Sequence, residues 1–236
     1  MKTQRFIGNF NLNNADLKVN DAELLNQLKN VLRLGLGDEV ILCDGKLNEA
    51  IAKISEIGKD FISFRIIGIS KNKNEPDGDD SLYCSILKRE NFELVVQKAV
   101  EAGIKEIVPI VSERTVKLDI RKDRLEKIIK EAAEQSGRGI LPELQNTTKL
   151  QEAVKNSEGN KINIFFDISG DIIRPSMLNT GYKDNVGVWV GPEGGWTPEE
   201  LELARNSGFK IISLGKLTLR AETAAIVGTY LAIHNL

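Results

Sequence analysis

The sequence predicts an α/β protein in two parts: a small N-terminal β-barrel, then a larger α/β domain built on a mostly parallel sheet. Three observations lead there. Before residue 70 the apolar runs are short, partly alternating and separated by turn residues. Residues 70–80 are polar and hold Pro76 and Gly78, the composition of a linker. From Leu82 onward strand-like and helix-like segments alternate, as they do when parallel strands carry helices on both faces. These features divide the chain into a barrel over 1–72, a linker over 73–80 and an α/β domain over 81–236.

The chain has 236 residues, 41% hydrophobic and 28% charged, an ordinary globular composition. No apolar run is long enough to span a bilayer, and Met1-Lys2-Thr3-Gln4-Arg5 lacks the apolar core of a signal peptide. A soluble, cytoplasmic protein is therefore expected. Two cysteines, Cys43 and Cys84, build neither a disulfide framework nor a zinc cluster, and no metal is expected. The formal net charge of −2 means that any nucleic-acid contact must use a local basic patch.

Taken in order, the barrel strands are Asp16–Val19, Glu39–Cys43, Ala50–Ile54 and Phe61–Ile66, with one helix over Ala22–Leu32. Gly35-Leu36-Gly37 lacks a third glycine and precedes a strand, so it reads as a turn rather than a dinucleotide loop. Beyond the linker, Leu82–Leu87 is a strand. Asn91–Ala102 is a helix with Phe92, Val95, Val96 and Ala99 on one face and Gly103 at its end. Ile104–Val111 is a strand, and Arg121–Gln135 a helix stopped by Gly137. Ile162–Phe166 is a strand ending at Asp167. Val186–Val190, a helix from Pro198, Phe209–Leu214 and a helix over Ala221–His234 complete the series.

The chemistry converges on three loops. The apolar strand Val186–Val190 runs into Gly191-Pro192-Glu193-Gly194-Gly195-Trp196, and Thr197-Pro198-Glu199-Glu200 then starts a helix with a capping box. Glycines between a strand end and a helix start let backbone N–H groups approach a ligand, at the place where open α/β sheets bind ligands. Asp167-Ile168-Ser169-Gly170 and the run from Gly215 to Ala224 follow two other strands. If the strands are parallel, all three loops lie on one sheet edge and can share a ligand. Arg220 and Glu222 flank a very apolar helix. Glu222 is equally well read as a first-turn acid favoured by the helix dipole, with Arg220 as its surface partner.

Other chemistries fail on specifics. There is no Gly-Lys-Ser/Thr phosphate loop and no Gly-x-Ser-x-Gly elbow. The one histidine, His234, ends an apolar helix and reads as structural, so Ser–His or Cys–His catalysis is excluded. Small residues Ala221, Ala225, Gly228 and Ala232 form a stripe suited to close packing inside the fold or in a dimer seam, the former being the default. From Arg114 to Lys130 seven cations stand against three acids, with Arg138 just beyond. That run is either a solvated helix face or a surface for RNA phosphate.

Blocks spanning nearly the whole chain resemble the bacterial 16S rRNA (uracil-N3) methyltransferases of the SPOUT class. They are Arg5-Phe6; Asn30-Val31-Leu32-Arg33; Lys98 to Gly103; Ser112-Glu113-Arg114; Glu131 to Arg138 with Pro142; Gly191 to Gly195 with Glu200; Leu214-Gly215; and Leu219 to Ala224. The resemblance implies a PUA-like barrel, a SPOUT domain with a C-terminal trefoil knot, bound S-adenosyl-L-methionine, a homodimer, and methylation of N3 of one uridine of the small-subunit rRNA. It implies a cofactor site at Phe166, Asp167, Gly191, Pro192, Glu193, Gly194, Gly195, Leu214, Gly215, Leu219, Arg220 and Thr223. Arg220 would steady the uracil anion and Glu222 would accept its proton. Arg5, Arg33, Arg114, Lys117, Arg121 and Arg138 would contact RNA. A ribose 2′-O methyltransferase and a non-catalytic RNA-binding module remain the alternatives.

Overall fold

The computed structural model describes residues 3–88, 90–116, 118–174, 177 and 185–234. The chain forms two compact units. One comprises Met1–Glu75 with Ala133–Leu141, the other Pro76–Ala132 with Pro142–Leu236. Set beside the expected 1–72, 73–80 and 81–236, the boundary falls inside the linker, between Glu75 and Pro76, and residues 133–141 return to the N-terminal unit.

The N-terminal unit holds β1 (Gln4–Ile7), β2 (Asp16–Val19), α1 (Ala22–Asn26), β3 (Glu39–Cys43), β4 (Asn48–Ile57) and β5 (Ile62–Lys71). The sheet order is β1-β3-β4-β5-β2, with β1 parallel to β3 and the other pairs antiparallel. Period-two alternation on β4 turns Ala50, Ala52 and Ile54 inward. Phe6 on one edge strand and Leu17 on the other share a single core with Leu42, Ile62 and Phe64, so the sheet curls around that core like a barrel. The helix expected over 22–32 is α-helical only to Asn26, capped by Asp21, and continues as a wider π turn over Gln27–Val31. β5 reaches Lys71, so the polar stretch from 70 begins inside a strand. Asn72 and Asn74 donate to Gly137 O, and Glu75 accepts from Gly139 N and Ile140 N. Hydrogen bonds thus tie part of the predicted linker to residues 137–140.

The second unit holds β6 (Ser81–Ser85), α2 (Asn91–Ala102), β7 (Glu106–Val111), α3 (Lys122–Ser136, whose last turn counts with the first unit), β8 (Glu143–Leu144), β9 (Thr148–Lys149), α4 (Leu150–Asn156), β10 (Ile162–Ile172), β11 (Val186–Val190), α5 (Pro198–Asn206), β12 (Lys210–Ser213) and α6 (Ala221–His234). The order is β12-β10-β11-β6-β7-β8, with β9 also on β7, and every pairing is parallel. Every residue of β6 and β11 is buried, as a sheet covered on both faces requires. Trp189 stacks on Tyr83 at 3.9 Å and Phe165 on Trp196 at 4.2 Å, anchoring one core layer.

Local signals placed several elements. α2 ends at Gly103, whose φ of 112° is left-handed. The capping box at Thr197 and Glu200 forms, with Pro198 in the first turn of α5. His234 lies 3.0 Å from Ala102 O, a structural partner at the end of α2. The reading of 167–170 as a loop after the strand needs correction. β10 continues to Ile172, and Ile212 of β12 pairs with both Phe166 and Asp171, so residues 167–170 form a bulge within a continuing strand. A Cβ on Gly170 would lie 2.7 Å from the Ile211 backbone, which is why the strand can resume there only with glycine. β8, β9 and α4 fall in a stretch, 143–161, for which the sequence reading had no element.

Candidate active site

β12, β10 and β11 are neighbours and parallel, so their C-terminal ends lie side by side and their loops converge as expected. Between them lies a pocket of about 290 Å³. Of the expected cofactor residues, Phe166, Asp167, Gly191, Pro192, Glu193, Gly194, Gly195, Leu214 and Leu219 line it. Gly215, Arg220 and Thr223 do not. Ile168, Val190, Trp196, Ser213, Leu217, Thr218, Ala221 and Ala224 also line it and were missed. All eight sit within or beside the quoted loops, so neighbourhood in sequence was the available signal.

Each wall has a local cause. Trp196 Nε1 donates to Phe166 O at 3.0 Å, tying the glycine loop to β10. A Cβ on Gly191 would lie 2.9 Å from the Trp196 ring, so only glycine fits beneath the indole. Gly195 takes a φ of 68°, which turns the loop toward α5. Glu193 accepts from Lys88 N at 2.8 Å. Asp167 accepts both Ser169 N and Ser169 Oγ on one oxygen, an Asx turn that opens the bulge. Gly228 of α6 backs onto the Phe166 ring, and Ala225 and Ala232 are buried, so the small-residue stripe serves packing within the fold. Among the described lining residues the charged ones are Asp167 and Glu193, both acidic. Cys84 is fully buried, and burial pushes its thiol far up. Burial likewise pushes the Cys43 thiol up to about 11.

Arg220 is 86% exposed and reaches Glu222, itself 13% exposed, at 4.0 Å. The two are neighbours at the start of α6, close to the surface pairing that the dipole reading describes.

The cations expected to face RNA divide sharply. Arg5 donates to Glu49 at 2.7 Å and to Cys43 Sγ at 2.8 Å and is largely buried. Arg138 is buried and bidentate with Glu75, at 2.7 and 3.2 Å. Arg114 donates to Gly194 O and Trp196 O. All three guanidinium groups have partners inside their own units, Arg114 while remaining exposed. Arg33 is exposed with a left-handed φ of 54°, and Arg121 is 68% exposed, 3.8 Å from Glu93. Lys117 lies outside the described residues. No described helix is long and apolar enough to cross a membrane.

Comparison with known proteins agrees with this geometry. Residues 73–232 match an RNA methyltransferase domain and residues 22–67 an RNA methyltransferase PUA domain. A Ribosomal RNA small subunit methyltransferase E of Rickettsia conorii is 32% identical over 230 residues, covering 96% of this chain and 93% of the relative. A protein of the same name from Aquifex aeolicus is 31% identical, covering 79% and 80%. Among solved structures, the Neisseria gonorrhoeae Ribosomal RNA small subunit methyltransferase E bound to S-adenosyl methionine superposes with a TM-score of 0.86 at 29% identity, covering 96% of this chain and 95% of that one. A Legionella pneumophila methyltransferase in complex with the same cofactor gives 0.87 at 28%, covering 98% and 97%. With its parallel-sheet pocket, its curled N-terminal sheet and these relatives, the chain belongs to the RNA methyltransferase family that carries a PUA domain.

Proposed function

We propose that this protein methylates N3 of a specific uridine in the 16S rRNA of the small ribosomal subunit, using S-adenosyl-L-methionine. The observation that carries the reading is the three-loop pocket, in which a glycine backbone under Trp196 meets apolar walls from Phe166, Val190 and Leu219. Such a pocket suits an adenosine, and its two carboxylates, Asp167 and Glu193, suit a ligand bearing a sulfonium and an ammonium. When bound, S-adenosylmethionine supplies an electrophilic methyl group.

The chain's own residues then have three tasks. The loops hold the donor and exclude water from it, so positioning supplies much of the rate. Arg220, whose guanidinium is exposed, meets the negative charge that develops on the uracil when N3 loses its proton. Glu222, or a water it holds, takes that proton. Arg33, Arg121 and Lys117 bind RNA phosphate. A homodimer belongs to the same proposal, supported by Leu94, Val227 and Tyr230, large apolar side chains exposed on α2 and α6. So does a C-terminal trefoil knot, supported by the meeting of residues 166–168, 190–196 and 213–219 around one pocket. Action in the cytoplasm belongs to the same proposal, supported by the ribosomal substrate it names.

The test incubates the protein with labelled S-adenosylmethionine and small subunits from cells lacking the modification, then separates the nucleosides. Label is expected in 3-methyluridine. Label in a 2′-O-methylated nucleoside would replace the target, and no label with no cofactor binding would refute the enzyme. Arg220→Ala is expected to abolish turnover while cofactor affinity stays within about threefold, a change under about 1 kcal/mol. Equal loss of both would make Arg220 part of the pocket instead.

A further inference from the structure

Arg114 heads the basic run that reads as an RNA-facing surface and is itself exposed, yet its guanidinium bonds the glycine loop that lines the pocket. Its Nη1 donates to Gly194 O at 2.8 Å and to Trp196 O at 3.2 Å. Its aliphatic stem lies along the same loop, since a Cβ on Gly194 would meet Arg114 Cβ and Cδ at 3.3 Å. The turn that carries it is itself braced. Ser112 N donates to Thr115 Oγ1 at 2.9 Å, Thr115 N donates to Ser112 O at 3.1 Å, and Ser112 Oγ lies 3.1 Å from Ser85 Oγ. One residue earlier, Glu113 N donates to Glu200 Oε1, while Glu200 Oε2 takes Thr197 N. The turn after β7 therefore holds both the end of the glycine loop and the start of α5.

A loop containing Gly191, Gly194 and Gly195 has many conformations to lose when it closes on a ligand. External bonds that fix it beforehand lower that cost and raise affinity. We propose that Arg114 is a positioning residue for the methyl-donor pocket, holding the Gly191–Trp196 loop in its binding shape through two loop carbonyls, rather than a contact for RNA phosphate. The proposal rests on the reading that this pocket takes S-adenosylmethionine.

The experiment compares Arg114→Lys and Arg114→Ala with wild type as full-length protein. Cofactor affinity is measured by calorimetry, KM and kcat by methyl transfer, and RNA affinity with a 16S rRNA fragment over a salt series. Lysine keeps the charge and most of the stem, which protects the fold. Its ammonium sits one bond nearer the main chain than Nη1 and does not span both carbonyls. Both variants are expected to raise the cofactor Kd and KM about tenfold, the scale of one lost charge-assisted hydrogen bond. kcat at saturating cofactor, RNA affinity and its salt slope should be unchanged. A phosphate contact gives the reverse pattern: Arg114→Lys close to wild type throughout, and Arg114→Ala with weaker RNA binding and a salt slope reduced by about 1. That result would overturn the proposal alone. A wild-type protein that binds no S-adenosylmethionine would overturn both the proposal and the functional reading beneath it.

Discussion

Replacing Gly228 by alanine tests how tightly the last helix shapes the pocket. An alanine Cβ at 228 would lie 2.5 Å from Phe166 Cε2, 2.9 Å from Cδ2 and 3.0 Å from Cζ. Carbon atoms pack at about 3.5 Å or more, so ring or helix must retreat by about 1 Å. Phe166 is buried, so relief comes most readily on the side where it lines the pocket. Overpacking of this kind costs roughly 1–3 kcal/mol. Alanine in a helix interior regains roughly 1 kcal/mol over glycine, so the net loss is about 0–2 kcal/mol. Thermal unfolding should therefore shift down by no more than about 8 °C. Binding should suffer more clearly: a 290 Å³ pocket has little spare room for a displaced ring. Calorimetric titration of S-adenosylmethionine should show a loss of about fivefold or more, near 1 kcal/mol. Phe166→Leu, by removing the ring edge, should reduce the penalty of the alanine in a double-mutant cycle. An alanine variant with a raised midpoint and wild-type affinity would refute the argument that Gly228 sets the position of Phe166.

Two further predictions concern charge. Asp80 is buried and accepts from Val186 N, and desolvation raises its pKa from 3.8 to about 6. A folded-state pKa above the unfolded value means that stability is full below about pH 4 and falls as pH rises toward 6. The cost above that is on the order of 3 kcal/mol or less. Asp80→Asn, which keeps an acceptor for Val186 N–H, should gain stability over wild type at pH 8 and lose that advantage at pH 4, measured by urea unfolding. A pH-independent difference would contradict this origin. In the N-terminal unit, Arg138→Ala leaves Glu75 buried without its cation and should cost about 3–5 kcal/mol by the same measurement. A loss below about 1 kcal/mol would show that the pair carries little of the unit's stability.

What could be read in the chain was what local chemistry controls. Asn91–Ala102, Val186–Val190 and Ala221–His234 are found with the bounds expected for them, because Gly103 ends the first helix, the strand has no polar side chain, and the final helix is a largely apolar stretch opened by Glu222 in its first turn. The glycine loop and its capping box were legible for the same reason. The bulge at 167–170 was not. Its residues look like a loop, and only the pairing with β12, made twice through Ile212, lets the strand resume. α4 was missed because it is short, with no side-chain hydrogen bond at its N-cap to mark its start.

By itself the sequence determined the two-part architecture, the alternation that makes the sheet parallel, and the three loops that meet at one edge of it. These follow from periodicity and from residues whose effect reaches only a few neighbours. Only the tertiary structure decided what the arginines do. Arg5 finds Glu49 across 44 positions, Arg138 finds Glu75 across 63, and Arg114 finds Gly194 across 80. A cation in a sequence is a charge without a partner. Which partner it takes depends on segments brought together by folding, and that choice separates a buried pair or a bond to a loop carbonyl from a residue left exposed.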